Sequence, residues 1–195
     1  RKVKNEVITL LKSLGHTVYD CTEDNGKSQG DVLQKIVNKC NAHSVDLDVS
    51  IHFNAGANDR GGNGVTTGTE VLVYNTTGTS YTYAKNISAM ISKLGFKNRG
   101  VKVRTDLYVL NHTKAQALLI ECCFVDDKDD VAKYNYKTMA QAIVKGITGQ
   151  TVTSSTNTTP KATASATAPQ NGFKVQIICT ELNVRAGAGT NYKIN

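Results

Sequence analysis

Apolar positions along the chain follow two rhythms. Val3, Val7, Leu10, Leu11 and Leu14 recur at helical spacing, and Gly15 follows where a helix C-terminus favours it. The spacing predicts a helix over 2–14. HTVYDC at 16–21 reads as a short strand, and Asp31 then heads a second helix with Leu33, Ile36, Val37 and Cys40 on one face. Leu47, Val49, Ile51 and Phe53 switch to the alternation of a strand, and TEVLVY at 69–74 supplies another after a loop rich in glycine. Ala84, Ile87, Ile91 and Leu94 predict a helix over 80–94, closed by Gly95. VKVR at 101–104 reads as a short strand before a turn at YVL, 108–110. AQALLIECCF at 115–124 is nearly unbroken apolar sequence, as expected of a central strand covered on both faces. Tyr136, Met139, Ile143 and Ile147 mark a last helix ending near Gly149.

Helices alternating with strands in this way predict an α/β fold: a mixed, largely parallel sheet with helices on both faces, spanning residues 1–150. Residues 151–171 carry Thr, Ser and Ala and both prolines of the chain, with no aliphatic period, and read as a linker. Strand character resumes at 173–179. The segment 172–195 is too short for a core of its own and reads as the start of a small all-β module.

Composition narrows the function classes. The net charge is +7, with 19 Lys and Arg against 15 Asp and Glu over 1–150, but the excess is spread out. A nucleic-acid reader would concentrate it in a stripe with interleaved aromatics, so no nucleic-acid partner is expected. A diffuse positive field still suits weak capture of a polyanion such as a bacterial wall polymer. No run approaches the roughly 18 apolar residues of a membrane span, so no membrane partner is expected either. Cysteines 21, 40, 122, 123 and 179 are odd in number and lack a CxxC spacing, and they read as small buried apolar residues.

The chemistry gathers at strand ends, where ligands collect in open α/β sheets. In DVSIHFNAGANDRGGNG, 48–64, a buried strand places an imidazole, His52, immediately before a polar, glycine-rich loop. A catalytic zinc takes about three protein ligands and keeps one position open for water, and His52 is placed to be one of them. A lone histidine there is more often hydrogen-bonded structure. Glu121 ends an apolar stretch in the 115–124 strand, where desolvation should raise its pKa and suit it to acid and base work. His16, His43 and His112 fall in connections and read as structural or solvated, with His112 the reserve candidate because its loop leads into the Glu121 strand. Glu70 reads as a solvated charge on an edge strand, and the run of Asp126, Asp127, Asp129 and Asp130 as an acidic patch before a helix, without EF-hand spacing.

SIHFNA at 50–55 and LLIECCFVDD at 118–127 resemble the two short signatures of zinc-dependent N-acetylmuramoyl-L-alanine amidases, the Amidase_3 family. GTEVLVY at 68–74 and LYVLNHTKAQALLIE at 107–121 match in order and spacing, so the resemblance covers about residues 1–150. It implies a Zn2+-dependent hydrolase of peptidoglycan that cuts the amide between N-acetylmuramic acid and the L-alanine of the stem peptide. By position His52 would be the last zinc ligand and Glu121 the catalytic acid and base. Asn54 and His112 would contact substrate, and the glycine-rich loop would border the groove. The family's other ligands, a histidine in a Gly-His-Gly segment and a glutamate before the first helix, are expected upstream of Arg1, since Glu6 lies within the helix.

TELNVRAGAGTNYKI at 180–194 resembles the opening of bacterial SH3-like wall-binding domains. Such a module would hold a hydrolase on an insoluble wall. The expected place of action is the bacterial wall, reached by phage lysis or by secretion. Two other readings stay open: a non-catalytic wall-binding or regulatory protein with an amidase-like fold, and a zinc peptidase cutting within the stem.

Overall fold

A computed structural model describes residues 1–152 and 173–178. Four strands run parallel: β1 (Thr17–Asp20), β2 (Leu47–Asn54), β5 (Ala117–Phe124) and β6 (Lys174–Ile178). Antiparallel to them run β3 (Thr69–Val73) and β4 (Asn98–Val103), and the sheet order is β1-β6-β2-β5-β3-β4. The helices are α1 (Lys2–Ser13), α2 (Gln29–Asn41), α3 (Thr79–Ser92), α4 (Tyr108–His112), α5 (Lys128–Lys133) and α6 (Tyr136–Thr148). This is the mixed, largely parallel α/β architecture expected from the sequence.

The two faces of the sheet differ in chemistry because side chains alternate along each strand. Val49, Ile51, Val71, Val73, Leu118, Ile120, Val175 and Ile177 form one face, which packs with Val3, Val7, Leu11, Ile87, Ile91, Met139 and Ile143 of α1, α3 and α6 in the main core. Burying each large aliphatic side chain there contributes about 1.5–3 kcal/mol. Gly146 of α6 sits where a Cβ would lie 2.6 Å from the Ile87 Cα, so the absent side chain lets α6 approach α3. The opposite face carries Asp48, Ser50, His52, Glu70, Leu72, Leu119, Glu121 and Gln176. It is covered only in part, by α2 through Ile36, Val37 and Cys40 and by α4 through Val109 and Leu110.

Local capping explains where several helices start. The Ser28 hydroxyl accepts the Asp31 N–H at 3.2 Å, so α2 begins before Asp31 and holds that acid in its first turn. Asp127 caps α5 by accepting the N–H groups of Asp129 and Asp130, and Asn135 caps α6. The YVL turn is in fact a one-turn helix, α4, and α5 is an element the sequence pattern did not suggest.

The structure also differs from the expected boundary of the second module. Lys174–Ile178 form a strand of the main sheet, between β1 and β2. Val175, Ile177 and Ile178 are fully buried there, and Val152 and Phe173 pack against the main core. The segment's β-branched run suits a strand covered on both faces. The SH3-like stretch 180–194, Cys179 and most of the expected linker lie outside the described residues. The other four cysteines are buried and form no disulfide among the described residues, as expected of small core residues.

Candidate active site

β2 and β5 are parallel neighbours, and their register pairs Ser50 with Leu119 and His52 with Glu121. Register partners in a parallel pair point to the same face, so the imidazole and the carboxylate stand side by side. Both line a cavity of about 530 Å³ on the polar face of the sheet, within the size range of small-ligand pockets. Its floor is Ser50, His52, Leu72, Leu119 and Glu121. One wall is the loop after β1, from Glu23 to Ser28, with the start of α2, and the other is Arg104, Leu107, Tyr108 and Val109.

His52 Nε2 lies 2.9 Å from the Ser50 hydroxyl, two residues back on the same face. That contact fixes the ring and leaves Nδ1 without a hydrogen bond among the described residues. Burial drops the imidazole pKa to about 4, so the ring is neutral at physiological pH, the form that ligates metals. Glu121 has the opposite perturbation. Burial, reinforced by the charge of Glu70 and offset by Arg104, pushes its carboxyl up to about 7. Its Oε2 is buried and unpartnered. Such an oxygen is costly unless a ligand, a metal-bound water or a proton meets it.

Glu70 is not the solvated edge charge expected from the pattern. β4 is the edge, and β3 lies inside it with Glu70 directly opposite Glu121. Its carboxylate accepts from Arg99 Nε at 2.9 Å and from Asn54 Nδ2 at 3.0 Å. Asn54 therefore reaches the site through Glu70 and does not itself line the cavity. His112 is exposed on α4, stacked on Tyr108 at 3.9 Å between ring centroids, with Nδ1 on the Tyr108 carbonyl at 3.0 Å. The cavity wall at this point is Tyr108, which His112 backs. Ser50, Glu70 and Arg104 are site residues that sequence reasoning missed. The alternation of β2 already placed Ser50 on the His52 face, but placing the other two required the strand order.

The glycine-rich loop lies elsewhere, since none of the residues lining this cavity comes from 55–68. The acidic run holds it. Asp126 accepts from the backbone N–H groups of Gly56, Ala57 and Asn58. Asp127 accepts from Thr67, Asp129 from Asn63 and Gly64, and Asp130 from Gly68 and Phe124. Asp59, Asp127 and Asp129 also bring carboxylate oxygens within 4.8 Å of one another. This all-oxygen set suits a hard cation in kind, but most of its oxygens already accept backbone hydrogen bonds.

The donors at the cavity fit zinc in kind: a neutral, oriented imidazole beside an orphaned carboxylate oxygen. In number they are fewer. Among the described residues, the one group of three or more such side chains within mutual ligand reach is the aspartate cluster, which does not include His52.

The chain has similar sequences and solved structures among known proteins. An uncharacterized protein of Clostridium perfringens strain 13 is 38% identical over 138 residues, which is 70% of this chain and 40% of that protein. The endolysin of Bacillus phage SPP1 is 30% identical over 151 residues, 74% of this chain and 52% of its own length. The chain thus spans about half or less of these relatives. Among solved structures, the catalytic domain of the CD27L endolysin targeting Clostridia Difficile superposes with a TM-score of 0.66 at 29% identity, covering 77% of this chain and 82% of that domain. Residues 1–150 match the family described as N-acetylmuramoyl-L-alanine amidase. With residues 1–150 matched by that family model, the chain belongs to the Amidase_3 family of N-acetylmuramoyl-L-alanine amidases.

Proposed function

We propose that the protein hydrolyses the amide between N-acetylmuramic acid and the L-alanine that begins the peptidoglycan stem peptide, as an endolysin or autolysin acting at the bacterial wall. The observation that carries this reading is the register of His52 with Glu121 at the floor of one cavity, with Glu121 Oε2 buried and unpartnered.

His52 is the described residue that would hold the zinc on which enzymes of this family generally depend. When bound, such a zinc polarises the scissile carbonyl and makes water a nucleophile at neutral pH. Glu121 acts at the other end of the chemistry. A carboxyl balanced near neutrality accepts the proton of the attacking water at Oε2 and passes it to the leaving nitrogen of L-alanine. Glu70 keeps that carboxyl basic through its charge. Asn54 and Arg99 fix Glu70, and Ser50 fixes the imidazole. Substrate contacts are assigned to Tyr108 on the wall with His112 behind it. Residues 180–194, similar to an SH3-like opening, would tether the enzyme to its wall.

The test is product analysis of purified walls digested by the full chain. Free amino groups belonging to L-alanine support the amidase. Amino groups of a later stem residue would make it a zinc peptidase instead. One observation favours a non-catalytic wall-binding protein: the described residues do not assemble three donors around His52. Wall binding with no amine release and no bound zinc would establish that reading.

A further inference from the structure

The cavity has acidic groups on one wall and a guanidinium on the other. Glu23 and Asp24 line the first wall, and each has a cation of its own, Lys39 and Arg1. Arg104 lines the second, just past the end of β4, with its N–H on the Val73 carbonyl at 2.9 Å. Because the register pairs Leu72 with Lys102, alternation puts Arg104 on the cavity face.

The guanidinium is held from one side. Asp106 accepts from Nε at 2.8 Å and from Nη2 at 2.7 Å, leaving Nη1 and the second Nη2 hydrogen without a partner among the described residues. Those remaining donors form the flat fork that matches a carboxylate. Arg104 also makes no ion pair within 4.0 Å of Glu121 or Glu70, yet its charge is felt at Glu121. A gap therefore separates the base from an oriented cation in the same cavity.

We propose that Arg104 is a specificity residue that takes a free carboxylate on the stem residue following L-alanine, so the site favours stems carrying the acid there over stems carrying its amide. The proposal rests on the amidase reading. An extended chain advances about 3.4 Å per residue, so that carboxylate stands about 5–7 Å from the scissile carbonyl, beyond the ion-pair distance at which Arg104 meets neither Glu121 nor Glu70.

The experiment compares two soluble N-acetylmuramoyl peptides that differ only in acid or amide at this position, cleaved by the full chain and by Arg104→Gln, Arg104→Lys and Lys27→Gln. The expected wild-type preference for the acid is about tenfold in kcat/KM, the scale of one partly exposed charge-assisted pair. Arg104→Gln should lose that preference, read as the ratio of kcat/KM for acid over amide within each protein, so that any effect of the lost charge on Glu121 is common to both substrates and cancels. Arg104→Lys should recover part of it, and Lys27→Gln, a second cation on the cavity lining, should keep it. Equal cleavage of both peptides by the wild type would overturn the proposal alone, as would loss of discrimination in Lys27→Gln but not in Arg104→Gln. Cleavage of neither peptide would overturn the amidase reading, and this proposal with it.

Discussion

Asp48 converts the polarity of one sheet face into a measurable pH dependence. It is 1% exposed, its Oδ1 has no partner, and burial pushes its pKa up to about 7. The unfolded value is about 3.9. A carboxyl whose pKa is raised by folding stabilises the fold fully below the unfolded value, and that contribution is lost as pH rises through the folded one. Three units at about 1.4 kcal/mol each amount to about 4 kcal/mol between pH 4 and pH 8. Asp48→Asn keeps the shape and cannot ionise. The variant should match the wild type near pH 4 and exceed it by about 4 kcal/mol at pH 8. Glu121 contributes with the same sign, and His52, whose pKa is lowered, with the opposite sign. Both are common to the two proteins and cancel in the difference. Urea unfolding of wild type and variant from pH 4 to 8 reads it directly. Parallel stability curves across that range would refute the buried, proton-holding carboxyl.

Two further outcomes follow from other contacts. Asp130→Ala should leave the buried N–H groups of Gly68 and Phe124 unpaired and cost about 2–5 kcal/mol, seen as a lower melting temperature and faster hydrogen exchange at those amides. His52→Ala should lower the zinc content of the purified protein while its circular dichroism stays unchanged, because His52 stands on the polar face of the sheet and the main core lies on the other face.

The sequence made the central pair of strands legible because β2 alternates apolar with polar residues and β5 is nearly unbroken apolar sequence. It also placed His52 and Glu121 on those strands, since a charged or titratable residue stands out where burial is expected. Tertiary relations left no such mark. Glu70 reads as an edge charge until the order β5-β3-β4 puts it inside the sheet opposite Glu121. Arg104 is one of many scattered cations until β4 carries it to the cavity wall. The aspartate run was visible, but the loop N–H groups it holds lie sixty or more residues away, which no residue type announces. The glycines next to His52 drew attention to the wrong loop. The wall from Glu23 to Ser28 comes from a polar stretch with no pattern of its own.

The central claim is that Glu121 moves the proton in amide hydrolysis beside a metal held in part by His52. Release of N-terminal alanine from purified walls by the full chain and by Glu121→Gln, with zinc measured in both, tests it most directly. The account predicts equal zinc in the two proteins and a loss of about 10²–10⁴-fold in rate for the variant, the usual contribution of a general base. Alanine release undiminished in Glu121→Gln would contradict it.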